Sequence, residues 1–214
     1  MPDTARPLRR DAERNRRLLL ETAADLMARR GLDVSYEEIA AAAGTGTGTV
    51  YRRFPDRDDL VDALFAEHVD AVCAMAEDAA RDEDAWRGLT GFLERQLERE
   101  AANRALGQIL RGQRGPRAIA HRAHERMTPL VTDLIARAVR AGQLPAGVVP
   151  ADLVAVHVMV GGVLDASAAT APDLWRRALA IALAGLQHAH LPGPAPGGDV
   201  VEQLYSHPDQ RHHP

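Results

Sequence analysis

Between Gly44 and Arg57 three glycines alternate with three threonines (Gly44, Thr45, Gly46, Thr47, Gly48, Thr49), and Tyr51, Arg52, Arg53 and Arg57 follow. Such a run could be a phosphate-cradling loop. That loop, however, follows a strand and keeps a G-x-G-x-x-G spacing. Here an alanine-rich helical run precedes the block and the spacing fails. The chain contains no lysine, which excludes a Walker-type phosphate loop, a Schiff-base enzyme and any lysine base.

The remaining reactive side chains offer little. His121 and His124 lie three apart on a helix beside Glu125, between Arg122 and Arg126, with no second ligand pair at metal spacing; they read as a solvated face. His207, His212 and His213 fall in a polar tail. Cys73, the single cysteine, reads as a small buried hydrophobe; it can form no internal disulfide, which fits a reducing cytoplasm. His157 is the odd polar residue of an apolar helix: a satisfied core histidine, or a hydrogen-bonder in a pocket. No convergent nucleophile and base set emerges, so neither enzymatic chemistry nor a cofactor or metal is expected.

The glycine-threonine block has to be positioned by helices. Ser35 suits an N-cap, and Glu38 completes a capping box. Ile39 to Ala43 favours helix, and Gly44 ends it as a residue able to take positive φ. A second helix must follow almost at once, because Val50, Tyr51 and Phe54 recur at helical spacing. With each glycine costing roughly 1 kcal/mol relative to alanine, this second helix should be short and held by its neighbours. The alternative is a flexible loop, which would leave Val50, Tyr51 and Phe54 without burial. Two short helices crossing at a glycine turn follow helix-turn-helix logic.

At these residues the chain resembles the DNA-binding segment of tetracycline-repressor-type (TetR family) regulators. The pattern is carried by Ala43, Gly44, Gly46, Gly48, Thr49, Val50, Tyr51, Phe54, Arg57 and Leu60, and extends back through Leu19, Ala23, Leu26, Gly31 and Tyr36. The resemblance implies that Ser35, Tyr51, Arg53 and Arg57 hold phosphates, while Thr45, Thr47, Thr49 and Arg52 face base edges. Gly46 and Gly48 belong to the same surface. Thr47 departs from the Lys or Arg that many relatives carry there, so specificity should be modest.

Elsewhere the periodicity is helical throughout, and the fold class expected is all-α with about nine helices. Residues 1–10 read as a disordered basic arm, either a solvated tail or a DNA-contacting extension. Residues 11–57 read as the three-helix head, 58–190 as a helical body, and 191–214, beginning PGPAPGGD after Leu191, as a disordered tail. Asp56 should cap a long helix, near-continuous to about Ala80, that links head and body. Pro129 should kink a helix over 117–141. Residues 1–57 hold 11 arginines against nine acids, and the rest 15 against 21. A mildly basic head on an acidic body suits a protein that presents one end to phosphate. The N-terminus lacks the apolar core of a signal peptide and the longest apolar run, Leu153 to Leu164, is too short to span a bilayer, so the expected place is the cytoplasm with no membrane partner.

The resemblance further implies a homodimer that binds double-stranded operator DNA and answers a small-molecule effector, most often as a repressor. The alternative is a helical small-molecule-binding protein or enzyme with an incidental helix-turn-helix. Candidate pocket residues are Phe65, Val69, Trp86, Leu89, Phe92, Met127, Val131, His157 and Met159. The last two helices carry small residues that permit close approach. Val158, Gly161, Gly162, Asp165, Trp175, Ala178, Ala182, Gly185 and Leu186 are the expected subunit interface, with Trp175 as anchor; a buried core hairpin is the alternative.

Overall fold

The computed structural model describes residues 5–111, 117–188 and 191, the side chains of 5–13 and 117–120 excepted. The described residues form nine α-helices and no strand: α1 (Ala5–Arg30), α2 (Tyr36–Ala42), α3 (Thr47–Arg53), α4 (Arg57–Ala80), α5 (Ala85–Ala102), α6 (Arg104–Leu110), α7 (Arg117–Arg140), α8 (Pro150–Ser167) and α9 (Leu174–His188). The all-α class and the helix count agree with expectation. One boundary moves: α1 starts at Ala5 rather than Asp11, so Ala5 to Arg10 are helical and not an irregular arm. Alanine, leucine and arginine favour helix, and Pro7 stands in the first turn, where no amide partner is lost. Of the expected tail only Leu191 is described, and it packs against the core; the rest lies outside the described residues.

The head forms around α1. Leu19, Ala23 and Met27 meet Ile39 and Ala40 of α2, Val50 of α3, and Leu60 and Val61 of α4, with Phe54 closing the cluster. The capping box is present: the Ser35 hydroxyl accepts from the Glu38 amide at 3.2 Å, and Glu38 Oε2 accepts from the Ser35 amide at 2.8 Å. Gly44 takes φ +65°, which L side chains rarely adopt, and the Thr45 amide then closes back on the Ala40 carbonyl at 2.9 Å.

α4 begins in the head and continues into the body, where it packs on α5 and α7. At 24 residues and about 1.5 Å per residue it is about 36 Å long. Arginines clamp its seam with α7: Arg126 pairs with Asp70 at 2.5 Å and Glu77 at 3.2 Å, and Arg122 stands 3.7 Å from Asp62. Cys73 is fully buried on α4, and burial pushes its thiol pKa up.

α8 and α9 pack on each other and on α5. α8 is long and apolar enough for a membrane span by length and composition alone, contrary to the expectation from its apolar run. At about 27 Å it is slightly short of a ~30 Å hydrocarbon core. It buries His157 and packs against three helices, as a core helix does.

Candidate nucleic-acid interface and body cavity

α3 is seven residues long, starts after Gly46, and is fastened from below by Val50, which is fully buried. Its outer surface consists of Gly46, Gly48, Tyr51, Arg52 and Arg53, all exposed, with Thr45, Thr47 and Thr49 half-buried between them. Tyr51 is 52% exposed, contrary to the expected burial, and meets Tyr36 edge-on at 4.8 Å. Tyr36 itself is buried; its hydroxyl donates to the Phe54 carbonyl at 2.9 Å, fastening the end of α3 to α2. Burial raises the Tyr36 pKa against the lowering effect of Arg57.

One expected DNA contact is differently engaged. Arg57 donates to the carbonyls of Leu32 at 2.6 Å and Val34 at 2.5 Å and lies over the Tyr36 ring at 5.8 Å. Its guanidinium is occupied in holding the α1–α2 loop. Thr45 and Thr49 both border a cleft against α1 that Asn15 and Leu18 also line. Thr47, Arg52 and Arg53 remain on the outer side.

The body holds a cleft of about 530 Å³, its open mouth included, lined by Leu89, Phe92, Leu93 and Gln96 of α5, His124, Met127, Thr128 and Val131 of α7, and Pro150, Leu153, Val154 and His157 of α8. Of the nine expected residues, Leu89, Phe92, Met127, Val131 and His157 meet there. Phe65 is a core residue between helices, Val69 lines a separate cleft beside Cys73, and Trp86 lies half-buried outside the lining. Met159 is 58% exposed on the opposite side of α8. His124 departs from the expected solvated face: it is half-buried in the lining with Nε2 3.1 Å from the Thr128 hydroxyl, while His121 stays outside near Glu125.

One end of the cleft rests on a buried polar cluster. Glu100 is 1% exposed and Arg111 2%, and the two form an ion pair. Glu100 Oε1 also meets His157 Nε2 at 2.7 Å and accepts from Gln96 Nε2 at 3.1 Å. Arg111 donates further to Asp165 at 2.8 Å. Burial alone would raise the Glu100 pKa; His157, Arg111 and Gln96 together hold it below the ordinary carboxylate range. Gly161 passes so close to Arg111 that a Cβ there would collide with its side chain. Gln96, Glu100 and Arg111 escaped sequence reasoning, although a signal existed. Along α5, Leu89, Phe92, Leu93, Gln96, Leu97 and Glu100 occupy one helical stripe, and polar residues in such a stripe need partners.

The expected subunit face divides. Trp175 is 1% exposed inside the protomer, Leu186 and Gly161 are buried, and Asp165 is bound to Arg111. Trp175 is therefore a core residue with Arg176 stacked on it at 4.4 Å, not a surface anchor. Gly162 and Gly185 are exposed, Val158, Ala178 and Ala182 are half-buried, and Met159 and Ile181 project outward beside them. Among the described residues no cluster of three His, Cys, Asp or Glu could hold a metal ion.

A capped helix, a glycine turn and a short exposed second helix, carried on an all-helical body, define a DNA-binding helix-turn-helix regulator. Residues 19–64 match the family model described as "Bacterial regulatory proteins, tetR family", and residues 83–188 match "Transcriptional regulator SbtR-like, C-terminal domain". The chain belongs to the TetR family of transcriptional regulators. The HTH-type transcriptional regulator SAR0097 of Staphylococcus aureus (strain MRSA252) is 34% identical over 89 residues, 40% of this chain and 46% of that one. The chain thus spans about half the length of that curated relative. A TetR transcription regulatory protein from Mycobacterium vanbaalenii is 31% identical, covering 85% of this chain and 99% of its own, with TM-score 0.45. SmeT, the repressor of the Stenotrophomonas maltophilia multidrug efflux pump SmeDEF, is 21% identical with TM-score 0.56, covering 85% and 96%. At that identity the likeness concerns the fold alone.

Proposed function

We propose that this regulator acts as a homodimer on a near-palindromic operator, as a repressor, and leaves it when a small molecule occupies the body cleft. The observation that carries this reading is a contact path between cleft and head. His157 and Gln96 line the cleft and bind Glu100; Glu100 binds Arg111, which directly follows α6; and Gln108 of α6 accepts from the Leu32 amide at 2.7 Å. Leu32 is the residue whose carbonyl Arg57 also holds. A guest that favours a different setting of α6 therefore acts on the loop between α1 and α2, and shifts the population of head positions.

On DNA, α3 enters the major groove. Ser35, Tyr51 and Arg53 position the head on phosphates while Thr47 and Arg52 meet base edges. Arg57 serves indirectly, by fixing the loop. The second copy docks on the α8–α9 face around Val158, Met159, Gly162, Ala178, Ile181 and Gly185, and successive major grooves call for two α3 helices about 34–36 Å apart or somewhat more.

Footprinting of the purified chain on DNA flanking its own coding region, with mass measured by light scattering, tests the reading. A dyad-symmetric protected site and a dimer are expected. Thr47→Ala should lower the preference for that site over random DNA, whereas Arg53→Ala should weaken both alike. Equal weakening by both substitutions would refute this division of labour.

A further inference from the structure

The positive charge of the head is concentrated in one stretch. Residues 5–18 hold six arginines (Arg6, Arg9, Arg10, Arg14, Arg16 and Arg17) against two acids, whereas residues 19–57, with the turn and α3, hold five against six. Two of those five are engaged within the head: Arg57 on the Leu32 and Val34 carbonyls, and Arg30 with Glu38. The helix-turn-helix alone thus carries no surplus of cations for a phosphate surface, and the body is acidic. The surplus lies on a continuous helix. α1 is helical from Ala5, and Leu19 is the first of its described side chains to be buried, so about 21 Å of helix precedes that anchor. This stretch borders the outer surface of the head: Asn15 and Leu18 line a cleft with Gly44 and Thr45 of the turn and Thr49 of α3. Arg14, Asn15, Arg17 and Leu18 are exposed, while Arg16 lies over the Phe54 ring at 5.7 Å. Arg10, Arg14 and Arg17 recur at i, i+4 and i+7. The first turn of α1 holds an arginine and no acid, the wrong sign for the helix dipole, which a phosphate at that end would correct.

We propose that the first half of α1 is a second DNA-binding element. Its arginines engage phosphates flanking the groove that α3 enters, and they supply most of the affinity for DNA of any sequence. Phosphate contacts hold a duplex without reading its bases, so α3, with its threonines and few cations, is left to discriminate. This inference rests on the reading of α3 given above, but it needs neither an operator nor an effector and can fail separately.

The test is fluorescence anisotropy of the full-length chain on a labelled random-sequence duplex of about 30 bp, between about 50 and 200 mM NaCl, where phosphate contacts weaken steeply. Arg10→Ala, Arg14→Ala and Arg17→Ala combined should weaken binding at least about tenfold at the lowest salt and flatten the log–log salt dependence by about 2 or more. Alanine favours helix, so this variant should melt as the unaltered chain does. Arg10→Lys, Arg14→Lys and Arg17→Lys combined should keep most of the affinity. Arg81→Ala, Arg95→Ala and Arg140→Ala combined remove the same charge from exposed positions of the body and should change binding by less than about threefold. Unchanged affinity or salt dependence in the α1 alanine variant, a loss no larger than that of the body variant, failure of lysine to preserve binding, or no binding by the unaltered chain would each overturn the proposal. Arg53→Ala in the same assay separates the two readings. Loss with Arg53→Ala alone refutes the second element and keeps the role of α3, and loss with the α1 variant alone does the converse.

Discussion

In the head, the hydrogen bonds that shape the turn join residues close in sequence: the Ser35–Glu38 box, the closure after Gly44, and Tyr36 reaching Phe54 eighteen residues on. In the body, the polar floor brings Gln96 and Glu100 to His157 across 61 and 57 residues, and Arg111 to Asp165 across 54. The first arrangement is a series of small local terms, each of which can be lost singly. The second is a buried charge cluster in which removing one member strands another. The head should therefore tolerate single substitutions that the body does not, although the head is the part that must hold its shape against DNA.

The largest effect expected is that of Arg111→Met, which leaves Glu100 buried without its cation and should destabilise the fold by about 3–5 kcal/mol in urea denaturation. Combining it with Glu100→Leu should recover much of the loss, because two apolar residues replace a pair rather than break it. A double variant as unstable as the single one would mean that the cluster is not acting as a unit. Acid titration reads the same site. Because the folded Glu100 pKa is depressed, its contribution is present above the unfolded value and lost as pH falls below about 4.5 and through the folded value. Glu100→Gln should flatten the urea-midpoint profile over that window; an unchanged profile would assign the acid sensitivity to other carboxylates.

Ser35→Ala, the matching cut in the head, should cost only about 1 kcal/mol. If it cost more than Arg111→Met, the contrast would be reversed. The smallest effect is the most telling for function. Gly48 lies in α3 with no positive φ, and a Cβ there would meet nothing within 4 Å. Gly48→Ala should stabilise the free protein by up to ~1 kcal/mol, yet weaken operator binding in a gel-shift assay. Unchanged affinity would mean that no backbone approach to DNA depends on that glycine.

The same contrast explains what was legible in the sequence. Caps, turns and helical stripes are short-range rules, so Ser35, Glu38, Gly44 and Val50 announced the head, and the bounds of α4 and α7 were readable to within a few residues. That Arg57 reaches the Leu32 and Val34 carbonyls was not legible, because a motif specifies which residues cluster, not which way each side chain turns. Trp175 was assigned to the surface because a large aromatic among small residues fits an interface and a core equally well by pattern. The polar floor depends on three helices meeting, and only the Gln96–Glu100 interruption of an apolar stripe hinted at it. Met159 failed for a related reason: α8 is apolar around much of its circumference, so periodicity does not say which side faces the cleft.

The solitary thiol on the linking helix has a practical consequence. Cys73 lies buried in the seam that Arg126 closes, and no other sulfhydryl competes with it. Its rate of alkylation is thus a built-in stopwatch for the parting of α4 from α7. It can be read on the unmodified chain, with and without operator or guest, before any label has been engineered.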